Sequence, residues 1–259
     1  MKEFIVYGDT LPEAYHKALT DLYYEGDITD CADWHTTQKE VSMTMYVYHP
    51  LEEPMISKLF IGGPKELEQY RQEMLDGILD FEVERGNWKY TYHDRMVNYY
   101  ATDDCQVNQI DFVIEELKRN PSSRRAVILI RDVGEDMGSE DPACLQHIQY
   151  FIRNDKLHCK VLFRSNDACK ATFMNAFALI MLQKRIADTL GVKMGTYTHR
   201  ANSFHCYEND FDLLKGYVKR IDESIADEDI CYDYKDNWKD LMEMYQDEIA
   251  EQVEELKNR

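Results

Sequence analysis

The chain predicts an α+β fold, a large mixed β-sheet flanked by helices, within one domain spanning residues 1–259. Three observations predict it. Several segments alternate apolar and polar residues at a period of two, which marks half-buried strands. Helical segments fall between them without the regular strand–helix alternation of a doubly wound parallel sheet. The chain is also long enough, at 259 residues and 44% hydrophobic, to bury one sizeable core.

The elements follow in order. Leu11 to Tyr24 reads as a first helix, with Thr10 and Pro12 at its start. Glu40 to His49 (EVSMTMYVYH) alternates as a strand. GGP at 62–64 breaks the chain as a turn, and Lys65 to Leu79 is helical. Gln109 to Arg119 forms another helix, stopped by Asn120-Pro121. Arg125 to Asp132 (RAVILIRD) reads as a strand, and GEDMGSED at 134–141 as a polar loop. Leu145 to Arg153 and Leu157 to Arg164 are β-rich runs joined by Asn154-Asp155-Lys156, a hairpin signal. Phe173 to Leu190 is the longest apolar helix, closed by Gly191. Tyr197 to Tyr207 alternates again, and Asp210 to Ile225 is helical. The tail, 234–259, reads as an acidic amphipathic helix whose stripe holds Trp238, Leu241, Tyr245, Ile249, Val253 and Leu256.

Charge and cysteine usage narrow the function. A formal net charge of −19 makes the bulk surface a poor partner for nucleic acid. A small anionic substrate then needs a local arginine cluster. No apolar run approaches the roughly 20 residues of a membrane span. The first residues, MKEFIVYGDT, lack the basic start and apolar stretch of a signal peptide. Seven cysteines, odd in number and irregularly spaced, fit reduced thiols and a cytoplasmic location.

Polar residues stand where elements end. Arg124 and Arg125 open a strand, Cys144 precedes one, and Arg164 and Ser165 close the second arm of the hairpin. Asn175 lies in the first turn of the long helix. His205 and Tyr207, two apart on a strand, share a face. Three arginines and a serine can cradle a phosphate through charge-assisted bonds. The same cations are expected to lower the pKa of a nearby thiol. That combination points to a cysteine nucleophile acting on a phosphorylated substrate. A single cysteine is more often a buried apolar group than a nucleophile, so Cys144 rests on its company. Cys144 with His147, or His158 with Cys159, lacks a second ligand pair at zinc spacing, so no metal is expected.

SRR (123–125), PAC (142–144), RSND (164–167), FMNA (173–176) and HCY (205–207) together resemble the thymidylate synthase superfamily, which includes the pyrimidine-nucleotide 5-hydroxymethylases. Arg124 to Cys144 and Cys144 to Arg164 are twenty positions each, Arg164 to Asn175 eleven, and Asn175 to His205 thirty. The resemblance covers about 90 to 220 well, and EPMISKLFIGGPKELEQYRQEMLDGI looks most like the compact archaeal-type members. It implies a homodimer packed sheet to sheet, with shared active sites. Arg164 and Ser165 would bind the 5′-phosphate of a pyrimidine nucleoside monophosphate, joined by Arg124 and Arg125 of the other subunit. Cys144 would attack C6 of the base. The activated C5 would then take a one-carbon unit from a reduced pterin, 5,10-methylenetetrahydrofolate or a relative such as methylene-tetrahydromethanopterin. Asn175 would read the base edge, since an amide offers a donor and an acceptor to uracil. His205 and Tyr207 would hold the ribose, Asp167 would touch the pterin or a water, and Tyr92 would order the proton-transfer water network.

Departures from the family pattern accompany the matches. The general-base glutamate is assigned to Glu53, with Glu52 and Glu68 as rivals. The N-terminal phosphate arginine has no match; His35 and Lys39 are nearest in kind. The tight LGxPFN turn reads CKATFMN. The folate-stacking tryptophans are not found, although Trp88 lies near, and an acidic helix replaces the tail that closes over folate. The leading expectation is conversion of dUMP to dTMP, favoured by Asn175 where deoxycytidylate hydroxymethylases carry Asp. The rival is a 5-hydroxymethylase of dUMP, dCMP or CMP, in which water completes the reaction. A non-catalytic nucleotide binder is a third reading.

Overall fold

The structure is a computed structural model that describes residues 1–102 and 105–258. Its centre is a seven-stranded mixed sheet. The strands are β1 (Glu3–Gly8), β2 (Asp27–Cys31), β3 (Thr36–Val47), β4 (Val127–Leu129), β5 (Leu145–Arg153), β6 (Lys156–Asp167) and β7 (Lys193–Tyr207). Their spatial order is β1-β3-β7-β6-β5-β4, and β2 shares the β1 edge of β3. β1 runs parallel to β3, and β7 parallel to β6. β3 with β7, β6 with β5, and β5 with β4 are antiparallel. The β5–β6 hairpin closes through Asn154 and Asp155 at φ 52° and 57°. Two positive-φ residues are what a two-residue primed turn requires, and Asn and Asp tolerate them best.

One sheet face is apolar and covered. Val41, Met43, Met45 and Val47 of β3, Leu157, Cys159, Val161 and Phe163 of β6, and Tyr197 and Ala201 of β7 are all buried there. Helices α1 (Leu11–Glu25), α4 (Gln109–Arg119), α5 (Thr172–Leu190) and α6 (Phe211–Glu223) pack over it. Between α1 and α4 lie α2 (Pro64–Asp76) and the short α3 (Tyr92–Val97). α5 is apolar nearly all round because β6 and β7 lie beneath it while α2, α4 and α1 flank it. On the other face Ile5, Tyr7 and Leu129 stay 55, 51 and 47% exposed. No described helix is long and apolar enough to cross a membrane.

Two elements differ from expectation. The strand read at 125–132 is confined to β4, Val127–Leu129. Beside it the Gln109 side chain takes up ladder bonds, accepting from Leu129 N at 2.9 Å and donating to Leu129 O at 2.7 Å. The single tail helix is three pieces: a wide turn at Tyr234–Trp238, a short helix Lys239–Met244, and α7 (Gln246–Lys257). The interruption at Tyr245 changes which side faces inward. Trp238, Met242, Ile249 and Val253 are buried, whereas Leu241 and Leu256 are exposed. Ile249 and Val253 pack with Leu79 in a small cluster of their own.

Candidate active site

Sheet direction gathers the chemistry-bearing residues. β5 begins where β6 and β7 end, because β5 opposes β6 while β6 and β7 run together. Cys144, Arg164, Ser165, Asp167, His205 and Tyr207 therefore meet at one end of the sheet. A register shift between Ala201 and Phe204 resets the alternation of β7. Phe204 and Cys206 then face the core, and Ser203, His205 and Tyr207 face Ser165. Ser165 Oγ and Ser203 Oγ lie 3.5 and 3.3 Å from His205 Nδ1. His205 is 3% exposed, and its Nε2 is buried without a hydrogen-bond partner among the described residues. Its ring meets Tyr207 edge-on at 4.7 Å.

Arg164 fixes the loop that carries the thiol. Its Nε donates to Ala143 O at 3.2 Å and its Nη2 to Pro142 O at 2.6 Å, while its backbone N–H donates to Cys144 O at 2.8 Å. The cation beside Cys144 does not win the contest over its proton. Burial pushes the Cys144 thiol up, Arg164 pulls it down, and Asp141 pushes it up again. The expected low thiol pKa is thus corrected: desolvation outweighs one guanidinium already bonded to carbonyls.

Beside this end lies a cavity of about 950 Å³ whose walls include Tyr70, Glu73, Trp88, Lys89, Tyr90 and Tyr92. Tyr92 opens α3 and accepts from Leu145 N at 3.4 Å. Burial drives Tyr92 and Tyr90 well above the ordinary tyrosine range, with Cys144 contributing to both. Asn175, buried in the first turn of α5, accepts through Oδ1 a hydrogen bond from the Tyr70 hydroxyl. Arg95 ties two cavity walls together. It donates to Ile130 O at 3.0 Å and to Asp136 Oδ1 at 3.1 Å, and its guanidinium lies 5.2 Å from the Tyr90 ring centre.

Several expected residues stand elsewhere or do other work. Glu53 accepts backbone N–H bonds from Met55, Tyr234 and Lys235 at 3.0, 2.9 and 3.1 Å. Those bonds make it a tether for the tail, and it does not line the cavity. Of its rivals, Glu68 is paired with Arg71 at 2.6 Å and Glu52 is exposed. Glu135, Glu140 and Asp141 line the cavity from its loop side, and Glu73 lines it from α2, one turn from Tyr70, with its pKa raised by burial. Asp167 spends Oδ1 on the N–H groups of Cys169 and Lys170, both at 2.9 Å. Lys39 is bound to Tyr23 O, and His35 sits in a left-handed turn at the β2–β3 tip.

Arg124 and Arg125 are exposed, and neither side chain has a partner among the described residues. Ser123, buried beneath them, donates to Glu116 at 2.6 Å and accepts from Arg125 N at 3.1 Å. The adjoining Ala126 O accepts from Tyr150 N, six residues along β5 from Cys144. That is about 20 Å of strand, so the pair lies far from its own thiol. Among the described residues no three His, Cys, Asp or Glu side chains are grouped to hold a metal ion.

The fold and the comparisons define a one-carbon transferase. The family profile described as thymidylate synthase matches residues 59–255, well beyond the 90–220 stretch where the motifs lie. A protein of Methanocaldococcus jannaschii named "putative thymidylate synthase" is 34% identical over 215 residues, covering 80% of this chain and 93% of that one. A Methanosarcina barkeri protein of the same name is 30% identical over 222 residues, covering 84 and 95%. Thermostable thymidylate synthase A from Bacillus subtilis shares the fold, with a TM-score of 0.66 at 21% identity, covering 82 and 84%. The chain belongs to the thymidylate synthase family.

Proposed function

We propose that the protein transfers a one-carbon unit from a reduced pterin to C5 of deoxyuridylate, giving thymidylate. The observation that carries this is the placement of the free Cys144 thiol between the Arg164 guanidinium and the aromatic cavity. Arg164 and Ser165 bind the 5′-phosphate. His205 and Tyr207, side by side at the end of β7, take the ribose hydroxyl. Asn175 bonds the base edge. The Cys144 thiol gives its proton to water and the cation of Arg164 stabilises the thiolate; as the sulfur bonds to C6, the C5=C6 electron pair moves onto C5 and O4. C5 thereby becomes the nucleophile.

The cavity fits a pterin ring. Its lining holds the carboxylates of Glu73, Glu135, Glu140 and Asp141 and the single ammonium of Lys89, a balance that suits the donor-rich amino edge of a pterin and disfavours an anionic tail inside. When bound, 5,10-methylenetetrahydrofolate or a related donor would supply the methylene carbon and the hydride that reduces it to the methyl of thymidylate, while C5 gives up its own hydrogen as a proton. Glu73, Tyr92 and the waters they order move protons at the C4–C5 edge, the role expected of Glu53; Asp167 keeps one carboxylate oxygen for a water or the pterin.

Arg124 and Arg125 serve the site of a second copy in a homodimer. Their distance from their own Cys144, and the apolar side chains of Ile5, Tyr7 and Leu129 left exposed on the outer sheet face, both support this arrangement. Deoxyuridylate tritiated at C5 and the methylene donor test the function. Tritium release with a methyl product is expected. A hydroxymethyl product would transfer the assignment to a 5-hydroxymethylase, and no release would refute catalysis at C5.

A further inference from the structure

We infer that Tyr70 is a positioning residue that fixes the orientation of the Asn175 amide and so selects a 4-oxo over a 4-amino pyrimidine. The inference rests on Asn175 facing the base, as in the function proposed above. An asparagine alone does not discriminate, because turning the amide exchanges its donor and its acceptor. The Tyr70 hydroxyl removes that freedom. It donates to Asn175 Oδ1 and has no other partner among the described residues. Asn175 Nδ2 makes no hydrogen bond to a described residue.

With the amide reversed, its N–H would meet the hydroxyl oxygen. The hydroxyl hydrogen would then lose its protein acceptor, which is costly once a bound base displaces water from that side of the cavity. Burial raises Tyr70 well above the ordinary tyrosine range, so the hydroxyl keeps its proton and remains a donor. The backbone leaves little slack, since Asn175 N is bonded to Ala171 O at 3.0 Å at the start of α5. The amide oxygen is therefore turned toward Tyr70, and the NH₂ is presented to the base. That NH₂ complements the O4 acceptor of uracil and opposes the 4-amino donor of cytosine. The second lone pair on Oδ1 remains for N3–H, which uracil carries and cytosine lacks.

The test is Tyr70→Phe, with calorimetric dissociation constants for deoxyuridylate and deoxycytidylate measured on the same preparations. The unmodified protein should prefer deoxyuridylate, and the variant should lose about tenfold of that preference, equivalent to about 1.4 kcal/mol. C5 tritium exchange on the two nucleotides should lose discrimination in parallel. Tyr70→Met removes the same donor and serves if the phenylalanine variant does not fold. Equal weakening of both nucleotides, with the ratio unchanged, would make Tyr70 a packing residue and overturn the inference. Equal affinity of the unmodified protein for the two nucleotides would overturn it as well. Binding of neither nucleotide would instead overturn the placement of the substrate at Asn175, and the inference with it.

Discussion

Arg95→Met probes how the cavity is held open. Arg95 and Asp136 are nearly fully buried, with side chains 8 and 2% exposed. Methionine keeps much of the volume but removes the charge, the bonds to Asp136 and Ile130 O, and the contact with the Tyr90 ring. Removing one partner of a buried pair costs about 3–5 kcal/mol, because the other charge is left uncompensated. Arg131 Nε remains 3.7 Å from Asp136 Oδ2, which places the expectation at the lower end, about 3 kcal/mol. For a chain of this size that corresponds to a fall in Tm of roughly 6–12 °C. Thermal unfolding followed by circular dichroism near neutral pH measures it. Arg95→Met with Asp136→Leu should recover part of the loss, since an apolar pair can replace a buried ion pair. The KM for the methylene donor should rise in the single variant while Cys144 alkylation is unchanged. A Tm shift under about 2 °C, far below the cost expected of breaking such a pair, would refute the reasoning.

Three further outcomes are expected. Glu73→Gln should lower tritium release by about a hundredfold, the contribution of a placed proton carrier, whereas Glu53→Ala should leave it within a few-fold and instead speed amide exchange at 234–238; the reverse pattern would restore Glu53 to the chemistry. Iodoacetamide modification of Cys144 should keep rising with pH through about 9 because burial raises its pKa; a plateau near neutrality would contradict that. His16, bonded to Ser57 at 2.7 Å, is held down to about 4 by burial, so its contribution to stability is present above about pH 6.5 and is lost as pH falls toward 4. The Tm advantage of the unmodified protein over His16→Gln should shrink across that interval, and a constant difference would rule the effect out.

Much of the sheet was legible because its apolar alternation is clean where one face is buried: β3, β5, β6 and most of β7 show it, and Asn154-Asp155 announced the hairpin. β1 and β2 were not read. Ile5 and Tyr7 are apolar yet exposed, which blurs the period in EFIVYG, and β2 is the largely polar DITDC. The motif residues converged because each ends a strand or starts a helix, and strand direction does the rest. Tyr70, Glu73 and Arg95 left no comparable mark. Tyr70 and Glu73 sit on a helix with many polar residues, most of them half-buried, and only the fold shows which turn faces Cys144. Arg95 was not singled out, because its partner Asp136 lies forty-one residues away. Glu53 looked catalytic among many acids, and the three backbone amides that occupy it are a tertiary fact.

The most direct measurement is the intact mass of the protein after incubation with 5-fluoro-deoxyuridylate and methylenetetrahydrofolate, followed by peptide mapping. The account predicts a stable adduct of enzyme, nucleotide and pterin attached at Cys144, absent in Cys144→Ala. An unmodified mass despite saturating nucleotide, or an adduct on another cysteine, would contradict it.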